Sequence, residues 1–232
     1  MAKLAIIVGS GFIDDSSFLE RFSGKALNIK KRTKYGTAEL IKKGNVFFLN
    51  RHQNRLPPHR INHRANIMAL KNLGVEYIFA IASTGSMKRK IAPGSIVIID
   101  DYISFSIKTF FDNEMVFTLP SLDQKLRNAL ITAAKKLKIK TVNKAVYFQT
   151  TGPRYETKAE IKMFSRYADL VGMTIANEAT LAKEAGIRYA AICSVDNYAN
   201  GLGTISSREI AKNSKKTRHR VMEIVLSAAL SL

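Results

Sequence analysis

Three short polar runs in this sequence begin where apolar stretches end, and their residue types suit an oxyanion. Gly9-Ser10-Gly11 follows Leu4 to Val8, Arg51-His52 follows Val46-Phe47-Phe48-Leu49, and Ser83-Thr84-Gly85-Ser86 follows Tyr77 to Ala82. Arg51 is a planar fork of donors matched to phosphate, and His52 adds a second donor. Glycines after a strand let backbone N–H groups approach an anion, with the Ser10 hydroxyl added. The small residues 83–86 suit phosphate oxygens in the same way. Each run also has a bland reading. Any tight turn uses Gly-Ser-Gly, and an ordinary surface loop carries an Arg and a His.

The elements that must position such residues are clearest between Tyr147 and Asn200. Val146-Tyr147-Phe148 has the composition of a buried strand, and Gly152-Pro153 is a turn signal. Thr157 with Glu160 makes a capping-box pattern that opens a helix. Leu170-Val171 is a short apolar run, the span from Asn177 to Ala185 has helical composition stopped by Gly186, and Tyr189 to Val195 is apolar again. In open α/β sheets, ligands sit beyond the carboxyl ends of strands. Glu156, Met173-Thr174 and Asn197 are therefore expected to gather at one edge. The plain alternatives are core packing for Met173, a Lys or Arg partner for Glu156 and a turn cap for Asn197. Elsewhere the pattern predicts a helix from about Asn62 to Gly74 and a strand over Ile96-Val97-Ile98-Ile99 after Pro93-Gly94. An amphipathic helix is expected from Leu122 to Leu137, and a last one from about Ser207 to Leu230, with Arg218, His219 and Arg220 on its solvated face.

With 232 residues, 46% of them hydrophobic, and no linker-like stretch, the chain is long enough for one sizeable α/β domain over residues 1–232. The one cysteine, Cys193, lies in an apolar run, so it is expected to be buried and cannot form an intramolecular disulfide. The N-terminal apolar run is too short for a signal peptide or membrane span, so a first strand and a cytoplasmic location are expected, without a membrane partner. A formal charge of +19 admits a basic nucleic-acid-binding protein. The basic residues are scattered, however, as in Lys30-Lys31-Arg32, Lys135-Lys136 and Lys215-Lys216, and lack interleaved aromatics. Charge alone supplies only non-specific nucleic-acid binding, so a solvated Lys-rich surface around an anion site is the stronger reading.

Three blocks, taken together, carry a resemblance. Thr151-Gly152-Pro153-Arg154-Tyr155-Glu156-Thr157, then Val171-Gly172-Met173-Thr174, then Val195-Asp196-Asn197-Tyr198-Ala199-Asn200 resemble those of the trimeric purine nucleoside phosphorylase and 5′-methylthioadenosine phosphorylase family. The likeness extends over almost the whole chain. Arg51-His52 with Pro58, Asn62, Ala65, Asn66, Ile67, Ala69 and Leu70 matches a further block, and Ser10 matches the hydroxyl of the family's phosphate turn. Departures include Gln53 for a common Gly, Asp101 for Gln, and Ala82 for a phosphate-binding Thr, whose hydroxyl Ser83 would replace.

The resemblance implies an α/β three-layer phosphorylase fold with a mixed central sheet flanked by helices, assembled as a homotrimer or dimer of trimers. It places Ser10, Arg51, His52, Ala82, Ser83 and Thr174 around phosphate and Met173 against the ribose. Glu156, Asn197, Tyr198, Ala199 and Ser207 would contact substrate, with Glu156 and Asn197 as the catalytic pair. The segment 104–122 would reach a neighbouring subunit, with Phe117 near the sugar's 5′ group.

The chemistry so implied breaks the C1′–N9 bond of a nucleoside through an oxocarbenium-like transition state. Phosphate is nucleophile and co-substrate, so no cofactor, metal or Ser-His-Asp triad is required, and positioned hydrogen bonds do the work. Adenine-directed relatives carry Ser and Asp at the positions of Glu156 and Asn197, whereas 6-oxopurine enzymes carry Glu and Asn. A carboxamide NH2 can donate to both O6 and N7, and the N1–H of hypoxanthine or guanine suits a carboxylate; adenine N1 is an acceptor and does not. A flipped carboxamide could serve adenine too, so Asn197 alone does not exclude it. Ala199 stands where adenine-directed relatives have a second Asp. The expected function is phosphorolysis of inosine, guanosine or 5′-methylthioinosine to the free base and a ribose 1-phosphate derivative. The alternatives are a 5′-methylthioadenosine phosphorylase, a hydrolytic nucleosidase and a basic nucleic-acid-binding protein.

Overall fold

The computed structural model describes residues 3–9 and 16–232. Ser10, expected at the phosphate turn, lies outside them. The elements run β1 (Leu4–Val8), α1 (Ser16–Glu20), β2 (Ala26–Thr33), β3 (Gly36–Lys43), β4 (Val46–Asn50), α2 (His63–Asn72) and β5 (Tyr77–Ser86). There follow β6 (Ile96–Ile98), β7 (Asp101–Ser104), α3 (Gln124–Lys136), β8 (Val146–Gln149), α4 (Lys158–Phe164), β9 (Leu170–Gly172), α5 (Ile175–Glu184), β10 (Arg188–Tyr198) and α6 (Ser207–Ala229).

The strands form one mixed sheet. β1 lies between β4 and β5, parallel to both, and β10 runs parallel to the other side of β5. The distal part of β5 also meets β9, antiparallel, and β9 continues into β8 and β7. Strand alternation sends successive side chains to opposite faces, so β1 feeds two cores. Ala5 and Ile7 pack with Ile67 and Leu70 of α2 and with Ala179 and Leu181 of α5. Leu4, Ile6 and Val8 pack with Leu126 and Leu130 of α3 and with Val221 and Val225 of α6. The three layers expected from the resemblance are thus present, with α2 and α5 on one face and α3 and α6 on the other.

Several sequence expectations need adjustment. The basic run Lys30-Lys31-Arg32 lies in a strand: β2 and β3 pair as an antiparallel hairpin at the sheet's edge. Its alternation is muted because β2 is exposed along much of its length, and lysines on an edge strand discourage pairing with another chain. Residues 83–86 do not turn. They extend β5 and pair with β10 from Ser194 to Tyr198, across a bulge at Asp196. The capping box does form. Thr157 Oγ1 accepts from Glu160 N–H and the Glu160 carboxylate accepts from Thr157 N–H. Arg154 adds two bonds to Glu160, at 2.8 and 2.7 Å.

This cap fixes the chain immediately after Glu156. Thr157→Ala is expected to lower stability by about 1 kcal/mol, as loss of an N-cap does, measured by urea denaturation. An unchanged midpoint would mean that the cap does not hold the start of α4.

Candidate active site

The carboxyl ends of β1, β4, β5, β9 and β10 converge on a cavity of about 950 Å³. Gly9, Arg51, His52, Ser83, Met173, Thr174, Glu156, Asn197, Ala199 and Ser207 all line it, as expected. Ala82 and Tyr198 do not. Ala82 is buried in the core shared with α2 and α5, because its side chain points to the opposite face from Ser83. Tyr198 turns its hydroxyl outward to the Arg89 carbonyl, 3.1 Å away.

Arg51 forms the floor on one side and is held more firmly than its place in a polar run suggests. Its Nε and Nη2 donate to the two oxygens of Glu178 at 2.6 and 3.2 Å, and Nη1 donates to the Ile81 carbonyl at 2.7 Å. Arg51 is 2% exposed and Glu178 1% exposed. Burial alone would lower the Arg51 pKa, but the Glu178 carboxylate outweighs it and raises the value. Tyr189 Oη donates to Glu178 at 2.9 Å, and Asn66 Nδ2 donates to the Arg51 carbonyl at 3.2 Å. Among the described residues three of the five guanidinium N–H groups are thus committed, leaving one on each Nη. Gly9 permits the close approach, since a Cβ there would lie 3.2 Å from Arg51 Nη1. Glu178 sits one helical turn past Thr174, a spacing that does not by itself point to Arg51.

His52 differs from its expected role. Its Nδ1 lies 2.8 Å from the Leu56 carbonyl, which can only accept, so Nδ1 carries the proton. Burial lowers the pKa of this imidazole, leaving the neutral ring with Nε2 as an acceptor. Such a ring receives a proton from a ligand rather than giving one. His63, behind the site, is buried 3.9 Å from Glu178, and burial holds its pKa at about 4.

Thr174 is the N-cap residue of α5 but makes no side-chain capping bond, so its hydroxyl is left for the cavity. The partial positive charge of the helix start lies behind it. Gln149 Oε1 holds this start in place by accepting from Ala176 N–H at 2.7 Å. Met173 packs over Gly152, which has φ +68° and no room for a Cβ beside the Met173 sulfur.

Across the cavity stand the two polar side chains expected to read a base. Glu156 is buried, and its Oε1 accepts from Thr150 Oγ1 at 2.6 Å. No ion pair holds it among the described residues; the one-sided hydroxyl bond leaves the second oxygen for a ligand. Asn200 Nδ2 also fixes the Glu156 carbonyl, at 2.9 Å. One N–H of the Asn197 carboxamide goes to the Tyr198 carbonyl at 2.8 Å, so one N–H, not two, remains to donate into the cavity. The wall from the start of α6 carries Ile205, Ser207, Ile210, Ala211 and Ser214. Arg218 continues this wall, which corrects its assignment to a solvated face. Asp196, also unanticipated, lines the cavity beside Asn197.

A family model described as the phosphorylase superfamily matches residues 3–230. The chain is 43% identical over 206 residues to an Archaeoglobus fulgidus protein named probable 6-oxopurine nucleoside phosphorylase, covering 84% of this chain and 85% of that one. It is 41% identical over 217 residues to a Thermodesulfovibrio yellowstonii protein named probable S-methyl-5′-thioinosine phosphorylase, covering 86% and 79%. Among solved structures it is similar to methylthioadenosine phosphorylase from Schistosoma mansoni in complex with adenine, with TM-score 0.86, 25% identity, and coverage of 100% of this chain and 91% of that one.

Removing one partner of a buried ion pair leaves an uncompensated charge, which costs about 3–5 kcal/mol. Glu178→Ala is expected to destabilise the protein by that amount in denaturant titrations, with Glu178→Gln retaining part of the loss. A cost below about 1 kcal/mol would show that Arg51 is not held chiefly by Glu178.

Proposed function

This chain belongs to the phosphorylase superfamily, and from that premise we propose that its cavity selects 6-oxopurine nucleosides and holds phosphate at the Arg51 end. The reaction is phosphorolysis of a purine nucleoside, the activity for which relatives at 43% and 41% identity are named. The observation that carries the base preference is Glu156, a buried carboxylate anchored by Thr150 on one oxygen and facing the same cavity as Asn197. A carboxylate there accepts from the N1–H of hypoxanthine or guanine, and adenine offers no proton at N1.

In this reading phosphate lies among Gly9, Arg51, Ser83 and Thr174, with the uncommitted N–H groups of Arg51 and the start of α5 balancing its charge. His52 Nε2 accepts the proton of a monohydrogen phosphate. The ribose lies against Met173, between phosphate and base, and its 5′ group meets the wall made by Ile205, Ser207 and Ile210. As the C1′–N9 bond breaks, negative charge spreads into the purine. The free N–H of Asn197 then strengthens its bond to N7, while Glu156 keeps the ring in register. Because this donor is fixed before the charge develops, it stabilises the transition state more than the ground state. Phosphate supplies the nucleophile, and no cofactor takes part.

We assign the assembly as a homotrimer or dimer of trimers, in the cytoplasm. Support for a subunit contact comes from the segment between β7 and α3, where Phe105, Met115, Phe117 and Leu119 are each more than 80% exposed.

Base selectivity is tested by replacing the pair. In the double variant Glu156→Ser, Asn197→Asp, the ratio of kcat/KM for inosine over adenosine is expected to fall at least about a hundredfold, since each mispaired buried polar group costs about 1–3 kcal/mol. A ratio that does not move, in a variant still active on either nucleoside, would remove these two residues from base recognition.

A further inference from the structure

The bulge in β10 falls at Asp196. Thr84 pairs with Val195 and Gly85 with Asn197, so Asp196 has no counterpart on β5. A bulge re-aims the side chain it carries, and this one is aimed at the cavity's phosphate end. Asp196 Oδ2 makes a very short hydrogen bond with Ser83 Oγ. Its Oδ1 is buried and, among the described residues, has no hydrogen-bond partner. Ser194 Oγ is buried next to it, close enough that its hydroxyl favours the ionised carboxylate. From α6, Asn213 Nδ2 donates to the Asp196 carbonyl at 2.9 Å, and Arg218 is the charged group that faces the carboxyl. The neighbouring Cys193 is buried and its thiol pKa is pushed up, so it stays neutral.

A serine hydroxyl has one proton. When Asp196 is ionised, Ser83 must donate that proton to it, and only lone pairs are left for an incoming oxyanion. When Asp196 is protonated, its O–H donates to Ser83 Oγ, and Ser83 is free to donate to the oxyanion. Among the described residues part of the donor set is already engaged: three of the five guanidinium N–H groups of Arg51 and Nδ1–H of His52 bind the protein itself. A freed Ser83 proton therefore matters more than it would in a donor-rich site.

We infer that Asp196 is a positioning residue of the phosphate subsite, protonated when phosphate is bound, which turns the Ser83 hydroxyl from an acceptor into a donor. The proton comes from solvent and returns to it when phosphate leaves. This rests on the placement of phosphate beside Ser83 given above. Burial raises the Asp196 pKa against the opposing effects of Ser83, Ser194 and Arg218, which makes the proton easier to take up.

The test is calorimetric binding of inorganic phosphate to the intact protein, from mildly acid to mildly alkaline pH, in buffers of differing ionisation enthalpy. Asp196→Asn, whose amide donates to Ser83 permanently, serves as the reference and also subtracts phosphate's own ionisation. Relative to that variant, the wild-type Kd is expected to weaken with rising pH by up to about tenfold per pH unit, the limit for one linked proton. Wild type should also take up one more proton on binding. Ser83→Ala should weaken phosphate binding and erase the extra slope, which gives a second route should the Asn variant fail to fold. In steady-state assays the effect should appear in KM for phosphate and not in KM for the nucleoside. Equal slopes in wild type and Asp196→Asn, with Ser83→Ala still weakening phosphate, would overturn the inference. Phosphate binding indifferent to Ser83→Ala would instead overturn the placement of phosphate.

Discussion

A buried carboxylate, Glu178, holds the Arg51 guanidinium at the floor of the cavity, and the rest of the site is built around that ion pair. Desolvating two such charges costs several kcal/mol each, which only close geometry and complete hydrogen bonding can offset. The sequence meets that demand from five directions. Arg51 extends from the end of β4, Glu178 comes from the first turns of α5, Ile81 from β5, Tyr189 from β10 and Asn66 from α2. One ion pair thus ties three strands to two helices at the edge where the strands end. Separating β4 from α5 would leave a buried charge unpaired, and the other bonds hold the guanidinium and the chain around it in one orientation.

That fixed orientation suits a reaction in which the protein contributes no nucleophile. Phosphate must be held below C1′ while positive charge grows on the ribose and negative charge on the departing purine. The two ends of the cavity answer those needs separately. Cationic and helix-terminal groups lie at one end, and an acceptor paired with a single donor, Glu156 and Asn197, lies at the other. Met173 fills the middle. The Arg51 end also contains an acceptor, His52 Nε2, where donors alone were anticipated. An oxyanion that carries its own proton fits such a mixture better than one that does not.

Much of this was legible because strand ends in the sequence are followed at once by polar residues. Arg51, His52, Thr174 and Asn197 stand just beyond apolar runs, Glu156 comes after the turn that follows one, and the fold carries all of them to one edge. What escaped notice depended on facts the pattern does not encode. Glu178 sits within a helix, where a carboxylate ordinarily means a solvated face, and only the third dimension puts Arg51 opposite it. Residues 83–86 are small enough to suggest a turn, yet ten β5 residues pair with β10 because both strands are buried on either side. One-residue alternation then decides that Ser83 faces the cavity while Ala82 faces the core. The bulge that turns Asp196 toward Ser83 has no composition signal. Arg218 lies on the cavity side of α6 because the helix's apolar stripe from Val221 onward fixes its rotation against the sheet. The β2–β3 hairpin was hidden by its lysines, which an edge strand tolerates and a composition count reads as surface.

The most direct measurement is the fate of inosine with the intact protein, with and without inorganic phosphate, following hypoxanthine by absorbance and the sugar product by phosphorus NMR. Hypoxanthine and ribose 1-phosphate appearing in equal amounts, with no base released when phosphate is omitted, is the expected result. Base release that proceeds equally well without phosphate and yields free ribose would contradict it. The Arg51 end of the cavity would then serve some purpose other than holding the nucleophile.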